Sequence, residues 1–378
     1  MSSVELISDA DKSNAPDIAV SGIGVVSPAG WGMEALRAVL REKKKLPSET
    51  LERPGWADPL QVLRVPRPAN RPAFLAHARL RRTSPITQYA IAAAMEALGP
   101  DAIGSNVKIG RVGVVLCVMS GCVNYSRRFY DETLRNPATA SPLVFPETVF
   151  NAPASHLAAL LGTNEISYTL VGDPGTFLQG LALGATLLSR GELDSCLVVG
   201  AEEADWLSSD AYRLFNRKII LAEGAGAVCL RYASGETRAS RSASPLTPAL
   251  SPQRGEGEEL LLKAVTASHN YSQGTTRQEA CARMRNELLK IGRADLLCDG
   301  MQGNEREDRP ELIAWKGWSG ARISPKRFLG EGLAASAAWQ CAAAIDSLLQ
   351  RQQQSAYVSV AGCNQQAIGA HFGRKELA

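Results

Sequence analysis

Two periods of apolar and polar positions alternate along this chain. Short runs rich in aliphatic and β-branched residues recur at Ile18 to Val20, Val112 to Val118, Ile166 to Val171, Leu197 to Val199 and, in LLLKAV, from Leu260. Each reads as a buried strand. Between them the spacing becomes helical, in an amphipathic run from Arg81 to Leu98, in a second helix carrying Leu178, Leu181, Leu187 and Leu188, and in a third from Thr276 to Ile291. Gly180, Ala182, Gly184 and Ala185 leave the second helix open to close neighbours. Strands alternating with helices in this way indicate an α/β fold. The first strand leads into a glycine-rich turn and then a helix. Its lone Gly-x-Gly lacks the third glycine of a dinucleotide fingerprint.

The periodicity fails in three places. Residues 1–17 are polar and acidic and read as a loose tail. Leu46 to Ala78 is rich in proline and arginine and reads as a surface excursion. Residues 235–258 are dominated by Ser, Pro, Arg and Gly, the composition of a disordered insertion or a docking linker. The chain is thereby divided into a half at 18–234 and a second half at 259–378.

Composition narrows the function classes. A net charge of +3 is too small to argue for nucleic acid. No apolar run reaches the length of a membrane span, and the start lacks the charged-then-apolar order of a signal peptide, so a cytoplasmic protein is expected. Eight cysteines without a CxxC pair suggest free thiols rather than disulfides or zinc, and no metal or cofactor is expected. The basic run Arg41 to Lys45 reads as a solvated helix end rather than a binding patch. His156 and His269 read as structural.

Ile166 to Glu202 is the most informative stretch: a strand, the turn Asp173-Pro174-Gly175, a helix and another strand. A turn between a buried strand and a helix N-terminus is where many enzymes hold a nucleophile. The stretch resembles the nucleophile segment of the β-ketoacyl-ACP synthases, in Gly191, Asp194, Gly200, Ala201 and Glu202. Gly22, Gly24, Val25, Ser27, Pro28 and Gly30 match the family's opening, and Pro142, Pro146, Asn151 and Leu160 continue the match. Arg213, Phe215, Glu223, Gly224, Ala225 and Gly226 follow, in a match that is shorter than usual just after Phe215. In the second half Gly300, Glu311, Ser324, Lys326 and Gly330 are kept. The resemblance implies a thiolase-like, five-layered αβαβα fold of two similar halves, with an active-site entrance remodelled near Phe215.

The chemistry of that family needs a thiolate to carry the acyl chain and two imidazoles to assist decarboxylation. Against the family's motifs, Pro174 stands where the cysteine belongs, with Asp173 before it and Thr176 two residues beyond. Asp299 and Glu331 occupy the places of the two histidines. Slippage cannot restore them, since no cysteine lies between Cys122 and Cys196 and no histidine between His269 and His371. No catalytic residue of the family is therefore expected. Asp173, Asp299 and Glu331 are expected to converge on one pocket, with Lys326 the cation that the motif places beside them, as salt-bridged filling rather than a magnesium or calcium site or an acid–base pair. The resemblance then implies a non-catalytic partner of an active ketosynthase, of chain-length-factor type, in type II polyketide, aryl-polyene or fatty-acid-like biosynthesis. It implies a dimer, with that ketosynthase or with itself, and possible contact with acyl carrier protein. A thiolase-fold enzyme with carboxylate chemistry and a homodimeric acyl-ACP-binding scaffold are the alternatives.

Overall fold

A computed structural model describes residues 17–68, 70, 72–99, 110–233, 259–272 and 274–375. The expected insertion at 235–258, and all but the last residue of the expected tail, lie outside the described residues.

Five strands of the first half are β1 (Ile18–Ser27), β2 (Val112–Val118), β3 (Ser167–Val171), β4 (Ser195–Glu202) and β5 (Gly224–Tyr232). They lie in the order β3-β2-β4-β5-β1, with β2 parallel to both β3 and β4, and β5 antiparallel to β4 and β1. The second half repeats the scheme with β6 (Leu260–Val265), β7 (Leu296–Cys298), β8 (Ala321–Ile323), β9 (Ser355–Ala361) and β10 (Gln366–Arg374). Their order is β8-β7-β9-β10-β6, with the same senses. Equal order and equal sense establish two similar halves. One antiparallel pairing, Ala19 with Leu261, joins β1 to β6.

The helices α1 (Met33–Glu42), α2 (Pro85–Leu98), α3 (Thr176–Ser189), α4 (Arg277–Ile291), α5 (Glu305–Ala314) and α6 (Ala334–Leu349) complete the layers. Alternation along the strands sorts them. Leu197 and Val199 of β4 join the core under α2, whereas Cys196 and Val198 join the central core with α3 and α6. The pleat sends successive side chains to opposite faces, so one strand serves both layers. Leu297 and Tyr357 face α4 in the same way. The layers thus run α2, sheet, α3 with α6, sheet, α4 with α5. Within α6, Trp339 is fully buried and its indole N–H is shared between the carbonyls of Val26 at 3.1 Å and Ala225 at 3.0 Å. No helix among the described residues is long and apolar enough to cross a membrane.

Three local expectations are corrected. The first strand does not stop at Val20 but continues through the supposed glycine turn to Ser27. Gly22 and Gly24 are there because α2 lies against them: an added Cβ would stand 1.8 Å from the Ala97 carbonyl oxygen at Gly22, and 2.1 Å from that of Ala93 at Gly24. The segment Ile166 to Val171 is not a buried strand. Among the described residues it pairs only with β2, as the sheet edge β3, and it leaves Tyr168 and Val171 about half exposed, at 46% and 56%. Leu46 to Ala78 is more than a surface excursion, since Glu49–Leu51 and Leu60–Leu63 form a small sheet with Leu221–Ala222. Within it Leu60, Val62 and Leu63 are buried.

Candidate functional site

β3 ends in the tight turn that starts α3, and Asp173 governs its shape. The carboxylate is fully buried and accepts from the backbone N–H of Gly175 at 3.1 Å, Gln365 at 3.1 Å and Gln366 at 3.2 Å, and from the Gln366 side chain at 3.1 Å. It is therefore a staple between the nucleophile turn and the loop joining β9 to β10. Burial pushes its pKa up, and these hydrogen bonds oppose the rise. Pro174 is buried at the head of α3, where its missing N–H costs no helical hydrogen bond. The N–H of Thr176 donates to the Asp173 carbonyl at 2.9 Å. Pro174 has no reactive side chain, and the Asp173 carboxylate is engaged by four donors.

Asp299 follows β7 directly and is also fully buried. It accepts from the N–H of Met301 at 3.2 Å and lies 3.1 Å from the Arg322 guanidinium. Arg322 reaches it because β8 runs parallel to β7 in the register that pairs Leu297 with Arg322. Nothing in the family motif pointed to that arginine. Glu311 stands behind, accepting from the N–H of Gly300 at 3.0 Å and from the Ser359 hydroxyl. Burial, then the nearby Asp299 charge, push Glu311 up to about 7.

Glu331 completes the trio. Its carboxylate lies 2.5 Å from the Lys326 ammonium and accepts from the Gln302 amide at 2.8 Å and the Leu333 N–H at 2.9 Å. The three acidic residues thus stand apart: Asp173 is satisfied by amides and Glu331 is paired with Lys326, whereas Asp299 lies beside Arg322 with its Oδ2 left without a hydrogen bond among the described residues. Among the described residues no group of three or more His, Cys, Asp or Glu could hold a metal ion.

Further residues crowd this region. Cys363 lies in the loop that Asp173 staples, with its sulfur 3.8 Å from that of Met119. Burial, then the charges of Glu331 and Asp173, raise its thiol to about 12, far from a reactive thiolate. Arg277 pairs with Glu307 and donates to the Ala361 carbonyl at 3.3 Å, while Asn216 donates to Glu307 at 2.7 Å. Burial raises the Tyr212 phenol further, beside Glu331, Cys363 and Glu307. The capping box at Thr276 and Glu279 marked the start of the helix that carries Arg277, but nothing local marked the arginine's role. His156 and His269 are structural, paired to Glu147 at 2.7 Å and Glu287 at 3.0 Å.

Outside the trio opens a cavity of about 1230 Å³. Lys45, the segment Arg213 to Ile220, the segment Gln302 to Arg306, Arg309 and the segment Lys326 to Phe328 contribute to its lining. Lys326 lines it together with the matched Arg213, Phe215 and Gly330, whereas Asp173, Asp299 and Glu331 do not.

With this geometry in view, three solved structures are informative about the fold. The ishigamide ketosynthase/chain length factor superposes with a TM-score of 0.74 at 18% identity, over 94% of this chain and 99% of that one. A type II polyketide synthase acyl-carrier protein in complex with its ketosynthase bound to the hexaketide gives 0.73 at 15%, over 95% and 99%. A β-ketoacyl synthase from Burkholderia phymatum gives 0.73 at 14%, over 96% and 100%. A search of curated protein sequences gives no match. The family model for the β-ketoacyl synthase N-terminal domain matches residues 15–235. The matched residues exceed half of the chain and include the turn Asp173-Pro174-Gly175: this protein belongs to the β-ketoacyl synthase family.

Proposed function

We propose that the chain is a non-catalytic partner subunit of an active ketosynthase, a chain-length-factor-type protein of type II polyketide, aryl-polyene or fatty-acid-like biosynthesis. The observation that carries this reading is the state of the degenerate centre. Pro174 supplies no nucleophile, and the carboxylates at both imidazole positions are buried beside a cation, Asp299 at 3.1 Å from Arg322 and Glu331 at 2.5 Å from Lys326. A carboxylate cannot donate to a developing oxyanion unless it holds a proton. What remains is a well-packed scaffold with a sheet edge at β3 that is unpaired among the described residues. Tyr168 and Val171 lie half exposed on that edge, which suits pairing with another subunit.

Catalysis in this reading comes from the partner, and an acyl carrier protein brings the chain to the pair. Co-expression with a cysteine-containing ketosynthase encoded nearby, followed by size exclusion and mass photometry, tests it. A stable heterodimer in preference to the homodimer is the expected result. A homodimer that ignores every ketosynthase of its own genome overturns the assignment and favours the homodimeric scaffold.

A further inference from the structure

The large cavity has a charge balance that the degenerate centre does not explain. Eight basic residues and one acidic residue, Glu305, contribute to its lining. Of the eight, Lys326 is neutralised by Glu331. Lys45, Arg213, Arg217, Arg306, Arg309 and Arg327 have no carboxylate partner within 4.0 Å among the described residues. They come from four separate segments, so no single helix end accounts for the concentration. Lys45 belongs to the basic run that looked like a solvated helix end, yet it lies at this cavity.

We propose that this cavity binds an organic polyphosphate, a soluble molecule with two or more phosphates and an apolar or aromatic part. Like charges gathered around one concavity repel each other, and low-dielectric walls focus their field on whatever enters. A multiply charged anion relieves that repulsion, and guanidinium groups take phosphate oxygens in bidentate geometry. The apolar part has its own surface. Leu214 and Phe215 contribute to the same lining and are 82% and 70% exposed. Large apolar side chains left so open beside a cationic cavity suit a ring that stacks there. The segment they belong to is the one that is shorter than usual just after Phe215, and it forms one wall of the cavity. This inference is independent of the partner-subunit reading, because the cavity is lined by this chain alone.

The test is calorimetric titration of the purified chain with ATP and with inorganic tripolyphosphate, at low and at physiological salt. Both should bind, more weakly as salt rises. Arg306→Gln/Arg309→Gln should weaken both by about tenfold or more, since two guanidinium–phosphate contacts are lost. Phe215→Ala should weaken ATP and leave tripolyphosphate unchanged. Arg283→Gln/Lys290→Gln, two basic residues of α4 outside the cavity, should change neither. Both pairs of substituted residues are exposed, so folding is expected to survive, and a thermal melt checks it. Absence of binding by either probe at low salt overturns the proposal. So does binding that the control pair weakens as much as the cavity pair, which would mark a nonspecific cationic surface.

Discussion

The Lys326 ammonium lies 2.5 Å from the Glu331 carboxylate, with the two side chains only 4% and 1% exposed. A buried pair of this kind depends on both members, because removing one leaves the other charged and desolvated. Glu331→Gln and Lys326→Met should each destabilise the fold by about 3 kcal/mol, and the double variant by less than the sum of the two. Urea unfolding of the three variants and the parent forms the cycle. Additive losses would mean that the pair is not coupled.

Asp173 joins two halves of the molecule through one carboxylate. Replacing it with alanine leaves the N–H groups of Gly175, Gln365 and Gln366 without their acceptor. A loss of about 3 kcal/mol is expected, with a smaller loss for Asp173→Asn, which keeps one carbonyl oxygen. Hydrogen exchange at residues 362–366 should speed up in Asp173→Ala before exchange in the strands does. Unchanged exchange there would contradict the staple.

Restoring the thiol alone should not restore chemistry. Pro174→Cys still lacks both imidazoles, and its sulfur would sit in a buried turn beside Asp173, which disfavours the thiolate. Intact-mass spectrometry after incubation with acyl carrier protein bearing an acyl chain should show no adduct on this variant or on the parent. An adduct on the parent chain would overturn the non-catalytic reading.

His371 sets a pH limit. It is buried against Tyr357, with neither ring nitrogen hydrogen-bonded among the described residues. Burial, then Lys263, hold its pKa down at about 4, against an ordinary 6.5. A base whose folded pKa is depressed binds its proton more readily when unfolded. Its contribution to stability is complete above pH 6.5 and is lost as the pH falls towards 4. The melting temperature should drop through that window, and His371→Phe should flatten the drop. An identical profile in the variant would exclude His371 as its source.

The one-dimensional pattern was sufficient for much of this. Strand and helix periods, with Gly200-Ala201-Glu202 and Gly224-Ala225-Gly226 at their spacings, specified the α/β architecture, because alternation along a strand and along a helix is a local property. That no cysteine lies between Cys122 and Cys196, and no histidine between His269 and His371, was equally legible, since it needs no coordinates. Tertiary structure alone decided where charges found partners. Arg322 reaches Asp299 through strand register, and Gln365 and Gln366 reach Asp173 from the far end of the chain. It also decided that β3 is an edge and that Lys45 shares a cavity with Arg309. Those contacts join residues tens to hundreds of positions apart, and no local period records a neighbour that only the packing of layers brings near.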